Sequence, residues 1–329
     1  MIKTAIRTVA RPAALSPIGR RIKAGMQAAG LIARTALIAF SSVAWLPAKA
    51  LEAPSAMPQE YQEIMAIVNR LASRNDLGSN EIAFTVVAGD YAAWIAEEIG
   101  LCKQDRCSYY HALNPFISHR GEIKEIIRQA YLYGDINAHA YTNGTIEIPR
   151  VTFRLYGDRS AYLACTIAHE ISHARDAHTF EHTAAVSSQS AGLSEEHKKI
   201  FDYSISRRFE TIADQQAWEM MTRAGYPVET CVDELLFSHR SSGDGRLTEP
   251  ESTHPGVKDR IEQLTAHIEA RKDRLEPQAA TPGRWIYEPS LNLLRFIPLA
   301  PASAPRSSQD QSAGSNNRQA SGPDANPRP

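Results

Sequence analysis

Two histidines and a glutamate form the pattern H-E-x-x-H within the apolar stretch 165–173; they are His169, Glu170 and His173. Side chains four residues apart lie on one face of a helix, so the two imidazoles can bind one metal ion from consecutive turns. Glu170 lies about 100° further around the helix axis, beside that ion. Two imidazoles suit zinc, and a neighbouring carboxylate suits deprotonation of a water molecule. The pattern therefore predicts a hydrolytic zinc site.

A third ligand is predicted on a helix that runs from about residue 204 to residue 225. One face of this helix combines two carboxylates with three apolar side chains: Glu210, Asp214, Ala213, Ala217 and Met221. A solvated face would place the acids opposite the apolar residues, whereas alanines beside them allow a second helix to approach closely. Glu210 is thus the predicted third ligand. Asp214, one turn later, is predicted to accept the second ring N–H of a ligating histidine, namely His169.

These motifs resemble the HtpX/CaaX-prenyl-protease family of zinc metallopeptidases (peptidase family M48), within the gluzincins. The matching segments, over about residues 136–268, are Ile136–Ala138, Ala168–His173, His178, Glu210–Asp214, Ala224–Tyr226, Thr253–Pro255 and Arg260. The resemblance implies one zinc ion per chain, bound by His169, His173 and Glu210, with Glu170 as the general base. The multi-pass membrane segments of the integral-membrane branches are not present in the sequence. The chain therefore looks like a soluble, exported member, and prenylated substrates are not implied.

The resemblance also places His254 near the site, where three roles remain open. A catalytic His254 would stabilise the oxyanion that forms at the scissile carbonyl. As a fourth zinc ligand it would instead close the open coordination position and hold the enzyme inactive. The third role is a structural one at the start of a helix. Arg260 is predicted to anchor this loop, and His178 is predicted to support the ligands from outside the coordination sphere, as Asp214 does.

The predicted fold class is α+β, mainly α, because helical periodicity dominates the chain and strand patterns are few. Helices are expected near residues 58–76, 90–100, 118–134, 160–182, 204–225, 232–237 and 255–275, and loops at 183–196 and 238–253. A strand is expected at 81–87, and a hairpin that turns at Asn143-Gly144 is expected at 136–148. The resemblance implies a zincin-like domain with a small antiparallel sheet whose edge strand borders the active site. Pro149 predicts that the second hairpin strand is this edge, where an extended peptide could pair.

Three segments are predicted along the chain. Residues 1–50 form a secretory signal peptide, since a basic start precedes an uncharged run and the cleavage pattern Ala48-Lys49-Ala50. An uncleaved membrane anchor is the alternative. Residues 51–299 form a single zinc metallopeptidase domain with a cysteine-containing insertion at about 90–135. Residues 300–329 are a disordered tail that has no aromatic residue, Leu, Ile or Val with which to build a core.

The composition indicates the cellular compartment of the protein and the classes of partner that it can bind. Residues 1–50 contain eight of the 36 basic residues and none of the 37 acidic ones, so the rest of the chain is acidic and unsuited to nucleic acid. The predicted location is the periplasm, where disulfides persist. Cys102 and Cys107 could close a local loop, which would leave Cys165 and Cys231 as a second pair. Four cysteines allow three connectivities, and the sequence does not choose among them.

The predicted function is an exported zinc-dependent endopeptidase with a Glu general base, acting in envelope protein quality control. Its expected partners are protein or peptide substrates that are unfolded or extended, and peripheral association with a membrane is also predicted. One alternative is a periplasmic binding or chaperone-like protein with a latent or silenced zinc site. The intact Glu170 argues against that alternative. A zinc hydrolase that acts on non-peptide bonds would share the same ligands.

Overall fold

The computed structural model describes residues 56–103, 106–242 and 247–299. The predicted signal peptide and the predicted C-terminal tail lie outside these residues. The helices are α1 (Gln59–Ala72), α2 (Asp90–Glu98), α3 (Ser108–His111), α4 (Gly121–Tyr133), α5 (Arg150–Tyr156), α6 (Ser160–Arg175), α7 (His178–Gln189), α8 (Glu195–Arg223), α9 (Thr230–Ser242) and α10 (Val257–Arg271). The strands are β1 (Ile82–Val87), β2 (His139–Ala140), β3 (Thr145–Pro149), β4 (Gly283–Glu288) and β5 (Leu293–Pro298). The mainly helical α+β class is confirmed.

The sheet is mixed, with strand order β2-β3-β1-β5-β4, so the predicted antiparallel sheet is wrong. β1 and β3 run parallel, with Ala83 opposite Thr145, whereas β2–β3, β1–β5 and β4–β5 are antiparallel pairs. Parallel neighbours need a long crossover connection. Helices α2, α3 and α4 lie between β1 and β3 in the chain and supply that crossover.

The edge of the sheet beside β3 is β2, so the prediction that β3 is the edge strand is also wrong. The two residues of β2 pair only with Ile146 and Glu147. Pro149 stands at the end of β3, beyond the reach of β2, where its missing N–H costs no ladder hydrogen bond with that strand. At the other side, the C-terminal apolar segment docks on the core as the hairpin β4–β5, through antiparallel pairing with β1.

The main core lies between the sheet and the helices that carry the metal-binding motifs. It includes Ile146 and Ile148 of β3, Ile167 and Ile171 of α6, and Trp218 of α8, each at most 1% exposed. Burial of each such side chain contributes about 1.5–3 kcal/mol to folding. A smaller cluster, built on Ala92, Ile95, Leu113, Ile126 and Ala130, gives the crossover helices their own apolar contacts. None of the described helices is long and apolar enough to cross a membrane.

Several helix boundaries differ from those predicted. The expected loop at 183–196 is helical as far as Gln189, and α8 begins at Glu195 rather than near residue 204. Ser194 explains this start, because its side chain accepts a hydrogen bond from the His197 backbone N–H, and acidic residues follow in the first turn. The H-E-x-x-H helix ends earlier than expected, at Arg175. Helix α5 and the extension of α9 to Ser242 were not predicted.

Two disulfides join Cys102 to Cys107 and Cys165 to Cys231. This is the pairing that the close spacing of Cys102 and Cys107 favours, among the three connectivities that the sequence leaves open. The second disulfide ties α9 to α6 one turn before His169. It therefore fixes a neighbouring helix to the element that carries the H-E-x-x-H motif.

A partly buried histidine connects the crossover helices to β3. His111 Nδ1 lies 2.8 Å from Asp90 Oδ1, and His111 Nε2 contacts Glu147 Oε1. Tyr141 donates a further hydrogen bond of 3.1 Å to the same Glu147 oxygen. Burial lowers the pKa of His111, but the two carboxylates outweigh it and raise this pKa to about 10. His111 is therefore an imidazolium that joins two segments far apart in sequence.

Replacing His111 with glutamine is expected to destabilise the protein in a pH-dependent manner. The pKa of His111 is higher in the folded chain, about 10, than its ordinary value of 6.5. Its stabilising contribution is thus complete below pH 6.5 and disappears as the pH rises through 10. Chemical denaturation of both proteins from pH 6 to 10 should show a difference in unfolding free energy that narrows with pH. A difference that stays constant over this range would contradict the ionic role of His111.

Candidate metal centre

Two helices that pack against each other bring the predicted ligands together. Helix α6 presents His169 and His173 from consecutive turns, and α8 presents Glu210. Ala168 on α6 and Ala213 and Ala217 on α8 are fully buried. Small side chains allow the two backbones to approach closely, as the alanines of the α8 motif predict. The carboxylate of Glu210 therefore reaches the two imidazoles.

The three side chains form a compact triangle of donor atoms. His169 Nε2 lies 3.1 Å from His173 Nε2 and 3.3 Å from Glu210 Oε2, and His173 Nε2 lies 3.8 Å from Glu210 Oε1. Donors of a tetrahedral zinc site, each 2.0–2.1 Å from the ion, are about 3.3 Å apart. Within the described residues, this group has the spacing and chemistry to hold a metal ion. A mixed imidazole and carboxylate set suits zinc.

Asp214 supports His169 as the sequence predicts. His169 Nδ1 donates a hydrogen bond of 2.9 Å to Asp214 Oδ1, which directs Nε2 towards the donor triangle. Arg260 donates to both carboxylate oxygens of Asp214, over 2.8 and 2.6 Å. Arg260 is predicted to anchor the loop of His254, but these hydrogen bonds go to Asp214 of α8, the acceptor that orients a ligand histidine. Such supports around a metal ligand fix its tautomer and its direction.

The charges at the centre suit a cation. Burial raises the pKa of Asp214, but Arg260 outweighs this and lowers it to about 2. Glu210 remains ionised for a similar reason: burial raises its pKa, and the surrounding histidines hold it well below its usual range. Burial lowers the pKa of His169, yet Asp214 and Glu210 raise it to about 10, while burial lowers the pKa of His173 to about 3. A metal ion would therefore compete with a proton at His169.

The remaining predicted residues surround this triangle. Glu170 follows His169 on α6 and is 8% exposed. His254 Nε2 lies 3.4 Å from Glu210 Oε1, and His254 Nδ1 lies 2.9 Å from the Thr253 hydroxyl. His178 contacts His173 through their ring nitrogens. All eight residues predicted for the site are thus gathered around the contact between α6 and α8.

Other residues support the site without having been predicted. Arg207 donates to the carbonyl oxygens of Pro250 and Ser252, over 3.0 and 2.6 Å, and so holds the loop that leads to His254. Glu234 of α9 is buried and accepts a hydrogen bond of 2.6 Å from the Tyr156 hydroxyl. Burial raises the pKa of Glu234. Only Arg207 had a sequence signal, since it lies one turn before Glu210 on the same helix face.

The family model of Peptidase family M48 matches residues 128–268. Residues 128–268 are therefore similar to M48 peptidases. The matched region runs from α4 to α10 and contains all eight of the predicted site residues. A comparison with curated proteins finds no match. The similarity to M48 peptidases implies a metallopeptidase, with peptides or proteins as substrates, and the donor triangle is the group that could bind its metal.

Proposed function

We propose that this protein is an exported zinc-dependent endopeptidase of the M48 type. Its zinc would be held by His169, His173 and Glu210, and its general base would be Glu170. The observation that carries the proposal is the donor triangle, with edges of 3.1–3.8 Å, next to a glutamate on the ligand helix. Asp214 and Arg260 orient His169, as residues around the ligands of metal sites typically do.

Bound zinc would supply a polarised water molecule and a Lewis acid for the scissile carbonyl. The Glu170 carboxylate takes a proton from the attacking water and later delivers it to the leaving amine nitrogen. His254 donates its Nε2–H to the oxyanion of the tetrahedral intermediate. Thr253 favours this tautomer when its hydroxyl donates to His254 Nδ1, since Nε2 then carries the ring hydrogen.

The substrate is proposed to bind in an extended conformation along β2. This strand forms the edge of the sheet and packs against α6, which carries the H-E-x-x-H motif. A peptide that pairs with the backbone of β2 would run past the metal centre, and its main-chain groups would supply most of the binding. Unfolded chains adopt this conformation readily, which supports a role in envelope protein quality control after export to the periplasm.

Removal of zinc is expected to abolish cleavage of denatured proteins. The purified enzyme should contain one zinc per chain by elemental analysis and should cleave an unfolded protein into peptides detectable by mass spectrometry. A chelator should stop the cleavage, and one equivalent of zinc should restore it. If the zinc-loaded protein instead binds unfolded chains but cleaves none of a broad panel, a chaperone-like function replaces the proposed one. Cleavage of esters but not peptides would indicate a different hydrolase.

Replacement of His254 with alanine is expected to lower kcat by about 10²–10³, the usual cost of losing an oxyanion donor. The zinc stoichiometry should remain one per chain, because His254 lies outside the donor triangle. His197 of α8 provides a matched control, since His197→Ala removes a histidine that interacts with Ser194 rather than with the centre. An increase in activity on His254 replacement would show that this residue blocks the site.

A further inference from the structure

The turn between α6 and α7 folds one imidazole back against a ligand histidine. Asp176 follows α6, Ala177 adopts the left-handed conformation with φ 50°, and His178 begins α7. For an alanine this conformation costs about 1–2 kcal/mol. Such strain persists where surrounding contacts require it, and it is concentrated at functional sites. The contacts that His178 makes are therefore the feature of this turn that could maintain the strained conformation of Ala177.

His178 is held firmly in contact with His173. The two Nδ1 atoms lie 3.1 Å apart, and His178 is 5% exposed. Its ring packs on Phe209, with a distance of 4.8 Å between ring centroids. Phe209 immediately precedes Glu210 on α8, so His178 bridges the two helices beside the donor triangle. In this orientation, the His178 ring can form only one hydrogen bond with His173, and it joins the two Nδ1 atoms.

The direction of that hydrogen bond decides whether His173 can bind a metal. Each neutral imidazole carries one N–H, and its other nitrogen is an acceptor. His173 Nε2 faces His169 Nε2 at 3.1 Å, inside the triangle, so this nitrogen must keep its lone pair. The His173 hydrogen must then be on Nδ1 and must be donated to His178 Nδ1. In the reverse arrangement an N–H of His173 would point into the triangle, and this hydrogen would have to leave Nε2 before the ion could bind.

Asp176 favours the arrangement that allows metal binding. Its Oδ2 lies 4.0 Å from His178 Nε2, and a negative charge there stabilises an N–H at Nε2, which leaves His178 Nδ1 as an acceptor. The carboxylate is fixed by hydrogen bonds from the Arg175 guanidinium, over 2.7 and 3.0 Å, and from Gln216 Nε2, over 2.6 Å. Gln216 belongs to α8, so both helices of the centre hold Asp176 in place.

We propose that Asp176 and His178 are positioning residues that set the tautomer of His173 and so prepare it to bind zinc. This inference rests on the proposed zinc site. The two ligand histidines are then supported differently. His169 donates directly to a carboxylate, whereas His173 donates to a second imidazole whose own tautomer a carboxylate selects. A side chain in place of His178 must therefore offer an acceptor to His173 Nδ1.

Zinc affinity, measured by competition with a chelator, tests this requirement. Two variants, His178→Phe and Asp176→Asn, should bind zinc about 10–100-fold more weakly, as supports around a metal ligand typically do on mutation. His178→Asn can still present an acceptor and should remain closer to wild type. His182→Phe changes the next histidine of α7, which pairs with Asp202 instead, and serves as the matched control. Wild-type affinity in both His178→Phe and Asp176→Asn would overturn the proposal.

A second measurement needs neither zinc nor activity. In the zinc-free wild-type protein with ¹⁵N-labelled histidine, NMR should show the hydrogen of His173 on Nδ1 and that of His178 on Nε2. A His173 Nε2–H in this protein would overturn the inference whether or not the variants fold. If the wild type binds no zinc, the proposed function fails, while the NMR result still decides the tautomer assignment. If zinc binds and the tautomers differ from these, only the positioning role fails.

Discussion

Glutamine in place of Glu170 is expected to reduce kcat/KM for peptide cleavage by about 10²–10⁴, the contribution that a general base usually makes. Glutamine preserves the size of the side chain but cannot take a proton from the attacking water. The zinc content should stay at one per chain, because Glu170 is not part of the donor triangle. Measured together, the cleavage rate and the zinc stoichiometry separate a lost base from a lost metal ion.

Glu181→Gln is the matched control for this experiment. Glu181 is an exposed glutamate in the first turn of α7, the helix that follows α6 in the chain. Its replacement should change neither zinc content nor turnover. Glu170→Asp is a second informative variant, since it keeps the carboxylate but withdraws it by one methylene. We expect it to fall between the wild type and Glu170→Gln. If Glu170→Gln keeps more than a third of the wild-type rate, another group must act as the base.

The metal-binding group could be predicted because short-range helix geometry determines most of it. The spacing of His169 and His173 places two imidazoles on one helix face, and the spacing of Glu210 and Asp214 does the same for two carboxylates. The alanines beside them indicated that the two faces meet. In the structure, His169, His173 and Glu210 form the donor triangle. Asp214 accepts a hydrogen bond from His169. Their roles in binding and catalysis remain predictions.

The sheet could not be predicted in the same way, because its strand order depends on contacts far apart in sequence. β1 pairs with β3 across the crossover helices and with β5 across some 200 residues. Pro149 suggested that β3 is an edge strand, which is wrong, because the two-residue strand β2 pairs with β3 without reaching Pro149. The imidazolium of His111 was hidden for the same reason, because only the fold brings it together with Asp90 and Glu147.

Arg260→Met is expected to lower the free energy of unfolding by about 3–5 kcal/mol, because it leaves the carboxylate of Asp214 buried without its cation. Asp214 is 7% exposed, so water cannot replace the two hydrogen bonds from Arg260. Denaturation of the zinc-free proteins measures this effect without the added stability that zinc binding brings. Arg223→Met, which breaks another ion pair of α8, with Glu219, should affect stability without weakening zinc binding.

A double variant separates two roles of Asp214, the pairing of its charge with Arg260 and the orientation of His169. Asp214→Leu combined with Arg260→Met removes both charges, and replacing a buried ion pair with apolar side chains is often neutral for stability. We therefore expect the unfolding free energy to return to within about 1 kcal/mol of the wild-type value. Zinc affinity should nevertheless stay about 10–100-fold lower, because His169 Nδ1 has lost its acceptor and its orientation. Recovery of both properties would mean that Asp214 only neutralises Arg260; recovery of stability alone assigns it to the metal centre.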